Sequence, residues 1–157
     1  MKKFFCILTA MLLLSLSGCG ITTYYWEFQY SVDNVKEIKI IELLDEQVYS
    51  EEDYTLLKNI DATDFASVYG DIQNIDYKQP FFTTSPATPY GQSILIVYES
   101  GEYEIISRRG PTQYKYSEEY GRIMEYHSYY YCQNEEQYNQ MIDKWLDGAE
   151  TTEGQTE

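Results

Sequence analysis

Tyr24, Trp26, Phe28 and Tyr30 alternate with Tyr25, Glu27 and Gln29, a spacing of two that predicts a half-buried strand. A membrane-interface aromatic cluster is the other reading of these residues, but regular alternation favours the strand. Asp33-Asn34 offers a turn, and Val35 to Leu44 reads as a second strand, rich in Ile and Leu. Asp45 to Asp53 is an acidic, polar loop. Tyr54 to Ile60 suits either a helix capped by Ser50 or a strand pairing back on its predecessor, and the strand is preferred. Asp61, with Asp64 three residues on, predicts the start of a short helix that ends at Gly70. Asp71 to Tyr77 reads as a further strand.

Gln79 to Gly91 (QPFFTTSPATPYG) is a proline-punctuated loop. Ser93 to Glu99 and Glu102 to Ser107 flank Ser100-Gly101, a hairpin signal, and Arg108-Arg109-Gly110-Pro111 breaks the second strand. The tyrosine-heavy stretch from Tyr114 to Cys132 predicts one or two more strands with a turn near Glu118 to Gly121. The last element is a helix over about 134–147. Asn134 suits its N-cap, Glu135 and Glu136 suit its positive end, and Gln137 occupies the reciprocal capping position. Tyr138, Met141, Ile142, Trp145 and Leu146 give it one apolar stripe. The expected class is α+β: an antiparallel sheet of about six to eight strands and two helices, the C-terminal one packed on one face.

The first residues follow a different pattern. Lys2 and Lys3 precede an apolar run from Phe4 to Leu16, and Ser17-Gly18-Cys19 closes it. This is the layout of a secretion signal. The run is shorter than the about 20 apolar residues a spanning helix needs. Leu16-Ser17-Gly18-Cys19 resembles the lipobox of bacterial lipoproteins at all four positions, a likeness confined to the first 19 residues. The resemblance implies that Cys19 receives a diacylglyceryl group, that signal peptidase II cuts before it, and that fatty acyl chains such as palmitate anchor the chain. It also implies a signal peptide over 1–18, an exported globular domain over 19–147, and a polar tail over 148–157 expected to be disordered. Two acyl chains anchor a protein stably where one does not.

Composition sharpens this picture. The chain has 157 residues, enough for one domain, and its 43% hydrophobic content is too high for a disordered chain. With 26 acidic and 11 basic residues the formal charge is −15, and loss of Lys2 and Lys3 would make it −17 (−15 − 2). Such a charge disfavours nucleic acid and repels anionic lipid, so membrane attachment would rest on the acyl chains. Cys6 would leave with the signal and Cys19 carry lipid, so Cys132 would be the only free thiol, with no internal disulfide.

Catalytic motifs are absent from the sequence: no glycine-rich phosphate loop, zinc-binding helix motif or nucleophile elbow occurs. Cys132 and the single His127 are five apart, which on one strand would point them to opposite faces; a small buried hydrophobe is the expected role of Cys132. Asp45, Glu46, Glu51, Glu52 and Asp53 could offer oxygen ligands to calcium but lack the spacing of a calcium loop. No metal and no cofactor beyond the covalent lipid is therefore expected. Phe81, Phe82 and Tyr90, set among three prolines, and Tyr126, Tyr129, Tyr130 and Tyr131 are the candidate binding surface, with core packing as the alternative for each. Arg108-Arg109 could meet an anionic ligand, although a solvated strand end is the plainer role. The expectation is a non-enzymatic, membrane-anchored binding domain for an envelope protein or glycan, in the general style of small Gram-positive lipoproteins. An acidic inhibitor or immunity-type protein blocking a basic enzyme is the alternative, and an envelope enzyme using carboxylates comes third.

Overall fold

Ile and Val fill the middle of the chain. The computed structural model, which describes residues 23–43, 54–78, 89–127 and 130–148, pairs these segments into an antiparallel sheet. The elements are β1 (Thr23–Tyr24), β2 (Val35–Leu43), β3 (Tyr54–Asn59), α1 (Phe65–Gln73), β4 (Tyr77–Lys78) and β5 (Gly91–Tyr98). They continue with β6 (Tyr103–Ser107), β7 (Gly110–Ser117), β8 (Arg122–His127), β9 (Tyr131–Cys132) and α2 (Glu135–Asp147). Six strands form the main sheet in the order β3-β2-β5-β6-β7-β8, and β1, β4 and β9 form a small second sheet. The class is α+β, as the alternation of apolar positions predicted.

Strand alternation sends Ile38, Ile40, Ile94, Ile96, Tyr98 and Ile106 to one face of the main sheet, where they meet both helices. From α1 come Phe65, Val68, Tyr69 and Ile72; from α2 come Tyr138, Met141 and Ile142, with Trp145 and Leu146 packed at the margin. The opposite face carries a smaller cluster of Ile41, Leu43, Leu95, Ile105 and Tyr114. The helices are also joined by polar contacts. Asp71 of α1 accepts from Trp145 Nε1 at 2.8 Å and pairs with Lys144 Nζ, while Lys58 of β3 donates to the carbonyl of Trp145 at the negative end of α2.

The hairpin between β5 and β6 forms as its sequence predicts, with three loop residues rather than two. Gly101 N–H donates to Tyr98 O, and Gly101 takes a φ of +86°, open to glycine without strain. The strand choice for Tyr54 to Ile60 and the turn at Glu118 to Gly121 also hold.

Four local expectations need correction. The aromatic segment 24–30 is a ladder strand only at Thr23–Tyr24; beyond it the chain is an irregular arm whose polar groups bond to side chains. Helix α1 runs past Gly70 to Gln73, because Phe65, Val68, Tyr69 and Ile72 keep one apolar stripe through the glycine; Asp61 makes no side-chain cap bond. That extension leaves only Tyr77–Lys78 of the expected strand at 71–77. Gln137 does not reach back to the start of its own helix, and its amide instead donates to Asn74 O at the end of α1, at 2.9 Å. Asn134 does cap α2, accepting from Gln137 N–H at 3.1 Å. Arg108-Arg109 forms a tight turn in which Ser107 pairs with Gly110, and Pro111 continues β7 opposite Ile106.

The Tyr77 hydroxyl is buried and meets no hydrogen-bond partner among the described residues. A buried donor without a partner is destabilising. Tyr77→Phe is expected to raise stability by about 1 kcal/mol, read as a higher urea midpoint at unchanged slope. A lowered midpoint would show that the hydroxyl has a partner in solution.

Candidate functional site

Two sites hold the polar chemistry of the body, one at each end of β5. The first lies where β5 turns into β6. Within YEIIS, Glu104 alternates in phase with Ile106 and so points to the helix-covered face, where it is 0% exposed. An inward carboxylate needs donors. Trp26 Nε1 donates to its Oε2 at 2.7 Å, and the Gln29 backbone N–H and the Tyr98 hydroxyl donate to Oε1 at 2.5 and 2.8 Å. Tyr69 of α1 adds its hydroxyl to that of Tyr98 at 3.3 Å. Glu102, two residues earlier, accepts from Gln29 Nε2 at 3.0 Å, Tyr116 N–H at 2.8 Å, Ser100 Oγ at 3.2 Å and the Tyr30 hydroxyl.

The arm from Trp26 to Tyr30 is thus fastened by two carboxylates. Its apolar side chains follow the same two-residue spacing read from the sequence. Trp26 enters the core, Phe28 stacks on Tyr69 with ring centres 3.8 Å apart, and Tyr30 meets the edge of Tyr98 at 4.9 Å. Burial pushes the Glu104 carboxyl above its ordinary range, against the pull of its donors and the Lys115 charge. Burial also raises Glu102, but its four donors outweigh it and hold the group below the ordinary range. Burial drives the Tyr69 hydroxyl up to about 12.

The second site is a half-open cleft of about 330 Å³ at the other end of β5. Glu42 of β2 and Arg108 of the β6–β7 turn line it together with Tyr90, Gln92, Tyr138 and Asn139. Gly91 enters β5 here with φ +72°. The Tyr138 hydroxyl is fixed within 2.9 Å of Ile106 O and 3.0 Å of Gln92 O, sharing one proton between two carbonyls. Burial raises its ionisation, and the charges of Arg108 and Glu42 both reach it. Arg109 lies over the Tyr90 ring at 5.2 Å.

The sequence-derived surface residues disperse. Tyr90 is 52% exposed at the cleft, and Tyr126 is 49% exposed on β8 with Lys115 Nζ 6.0 Å from its ring. Tyr130 is half-buried and packs against the main core, and Tyr131 is half-buried in β9. Cys19, Phe81, Phe82, Tyr129 and the acidic loop 45–53 lie outside the described residues, as do the signal segment 1–18 and the tail beyond Gly148. Cys132 and His127 are on strands of different sheets, not one. Burial pushes the Cys132 thiol up, and its Sγ lies 3.4 Å from Asn134 O. Among the described residues no three His, Cys, Asp or Glu side chains converge as a metal would require, and no helix is long and apolar enough to cross a membrane.

Glu102, Glu104 and Glu42 were not singled out in the sequence. The available signal was phase: Glu104 falls on the same strand face as Ile106, an inward position that a solvated carboxylate would not take.

Glu104→Ala leaves three buried donors without their acceptor. It should cost about 3 kcal/mol or more and expose Tyr25 to Tyr30 to chymotrypsin under native conditions. Resistance equal to that of the parent would show that the arm is held by other means. The pH dependences of the two carboxylates run in opposite directions. The raised Glu104 contributes stability that is complete below the ordinary value of 4.5 and lost as pH rises through its folded value. The lowered Glu102 contributes stability that is complete above 4.5 and lost as pH falls through its folded value. In melting curves across pH 3 to 8, Glu104→Gln should remove decline on the alkaline side and Glu102→Gln decline on the acidic side.

Comparison with family models, curated proteins and solved structures finds no match to this chain, so its chemistry is read from its own residues.

Proposed function

We propose that the chain is an exported lipoprotein, held to the outer side of a cell membrane by diacylglyceryl-Cys19, whose body is a non-enzymatic binding domain for an envelope component. The observation that carries this reading is the fastened arm. Trp26 is seven residues beyond Cys19, and seven extended residues span at most about 25 Å. A lipid on Cys19 would therefore hold the body close to the bilayer, with little slack. The net charge of −15 gives the body no electrostatic affinity of its own for anionic lipid. The two carboxylates most deeply engaged in the fold, Glu102 and Glu104, are occupied as acceptors for the arm and the neighbouring strands, a structural use rather than acid–base chemistry.

Cys19→Ser should move the protein from the membrane fraction of lysed cells to the soluble fraction, and the native N-terminus should show the mass of a lipid-modified cysteine. Retention of the variant in the membrane fraction, or an unmodified thiol in the native protein, would contradict the reading.

A further inference from the structure

We propose that the cleft between Glu42 and Arg108 binds a small zwitterion bearing both a free ammonium and a free carboxylate, of the class of amino acids and short peptides. This rests on the reading of the body as a binding domain and names the chemistry of its ligand.

The cleft holds opposite charges on facing elements. Glu42 is half-buried on β2 and has no ion-pair partner among the described residues. Arg108 projects from the β6–β7 turn and is only loosely engaged, its Nε 3.7 Å from Glu135 Oε2 with nearly half of the side chain exposed. A guanidinium with donors to spare is suited to two-point binding of a carboxylate, and a free carboxylate to an ammonium. Between them the floor is rigid, because the Tyr138 hydroxyl is already tied to two main-chain carbonyls. Asn139 and Gln92 add neutral polar groups, and the Tyr90 ring gives an apolar wall held by Arg109.

Charge selects among ligand classes. A simple anion would face Glu42 and a body of charge −15, whereas a simple cation would face Arg108 and Arg109. A molecule carrying both charges satisfies both walls. At about 330 Å³ the cleft is at the small end of the about 300–1,000 Å³ typical of ligand pockets, which suits an amino acid or dipeptide.

The test is isothermal titration of the full chain in detergent micelles with three probes: L-alanyl-L-alanine, its N-acetyl form, and its C-terminal amide. Saturable binding of the free dipeptide is expected, with each blocked form at least about tenfold weaker, near 1.4 kcal/mol. Arg108→Ala should abolish the preference over the amide, and Glu42→Gln the preference over the acetylated form. Both side chains reach solvent, so these variants should fold, and unchanged melting curves would confirm it. No saturation at millimolar dipeptide, equal binding of all three probes, or preferences that survive both substitutions would overturn the proposal. Membrane fractionation of the parent chain is a separate readout, so a failed cleft and a failed anchor are distinguishable.

Discussion

A single buried carboxylate joins the parts of this protein. Glu104 accepts from Trp26, the Gln29 main chain and Tyr98, and Tyr98 in turn takes the hydroxyl of Tyr69. The N-terminal arm, the β5–β6 hairpin and helix α1 therefore share one acceptor. Burying a charge is costly unless donors surround it, and here the donors come from segments distant in sequence. The acceptor thus selects one arrangement of the arm. A shift of the arm by one residue would turn Trp26, Phe28 and Tyr30 away from the core and separate Gln29 from both glutamates.

The same geometry separates two tasks along β5. Glu104 and Tyr98 hold the arm at one end of that strand, and the Glu42–Arg108 cleft opens at Gly91 at the other. Seven residues of strand rise about 23 Å. In a chain anchored through its arm, the cleft would lie at the far end of the body from the lipid. Helix α2 links the two regions mechanically: its stripe packs on the sheet, its end is held by Lys58 and Asp71, and Tyr138 forms the cleft floor.

Much of the architecture was legible because local and long-range signals agreed. The Asn134 cap, the stripe from Tyr138 to Leu146 and Gly148 all marked the same helix, and the β5–β6 hairpin was announced by a glycine that the turn requires. Legibility failed where tertiary partners outweighed local rules. Gly70 did not end α1, since Ile72 still belonged to the buried stripe, and the strand expected at 71–77 was largely lost to that helix. The arm was legible in its alternation but not in its bonding, because Gln29 finds its acceptor 75 residues away in sequence. The cleft was still less visible. Glu42, Arg108 and Tyr138 come from β2, a turn and α2, and no spacing in the chain links them.

Native-state hydrogen exchange at the Gln29 amide and the Trp26 indole tests the role of Glu104 most directly. If the buried acceptor fastens the arm, both protons exchange as slowly as the amides of β5, such as that of Ile96, and open only with the whole fold. Exchange at the rate of an unprotected peptide, while Ile96 stays protected, would mean that the arm is free and that the fold does not depend on this carboxylate.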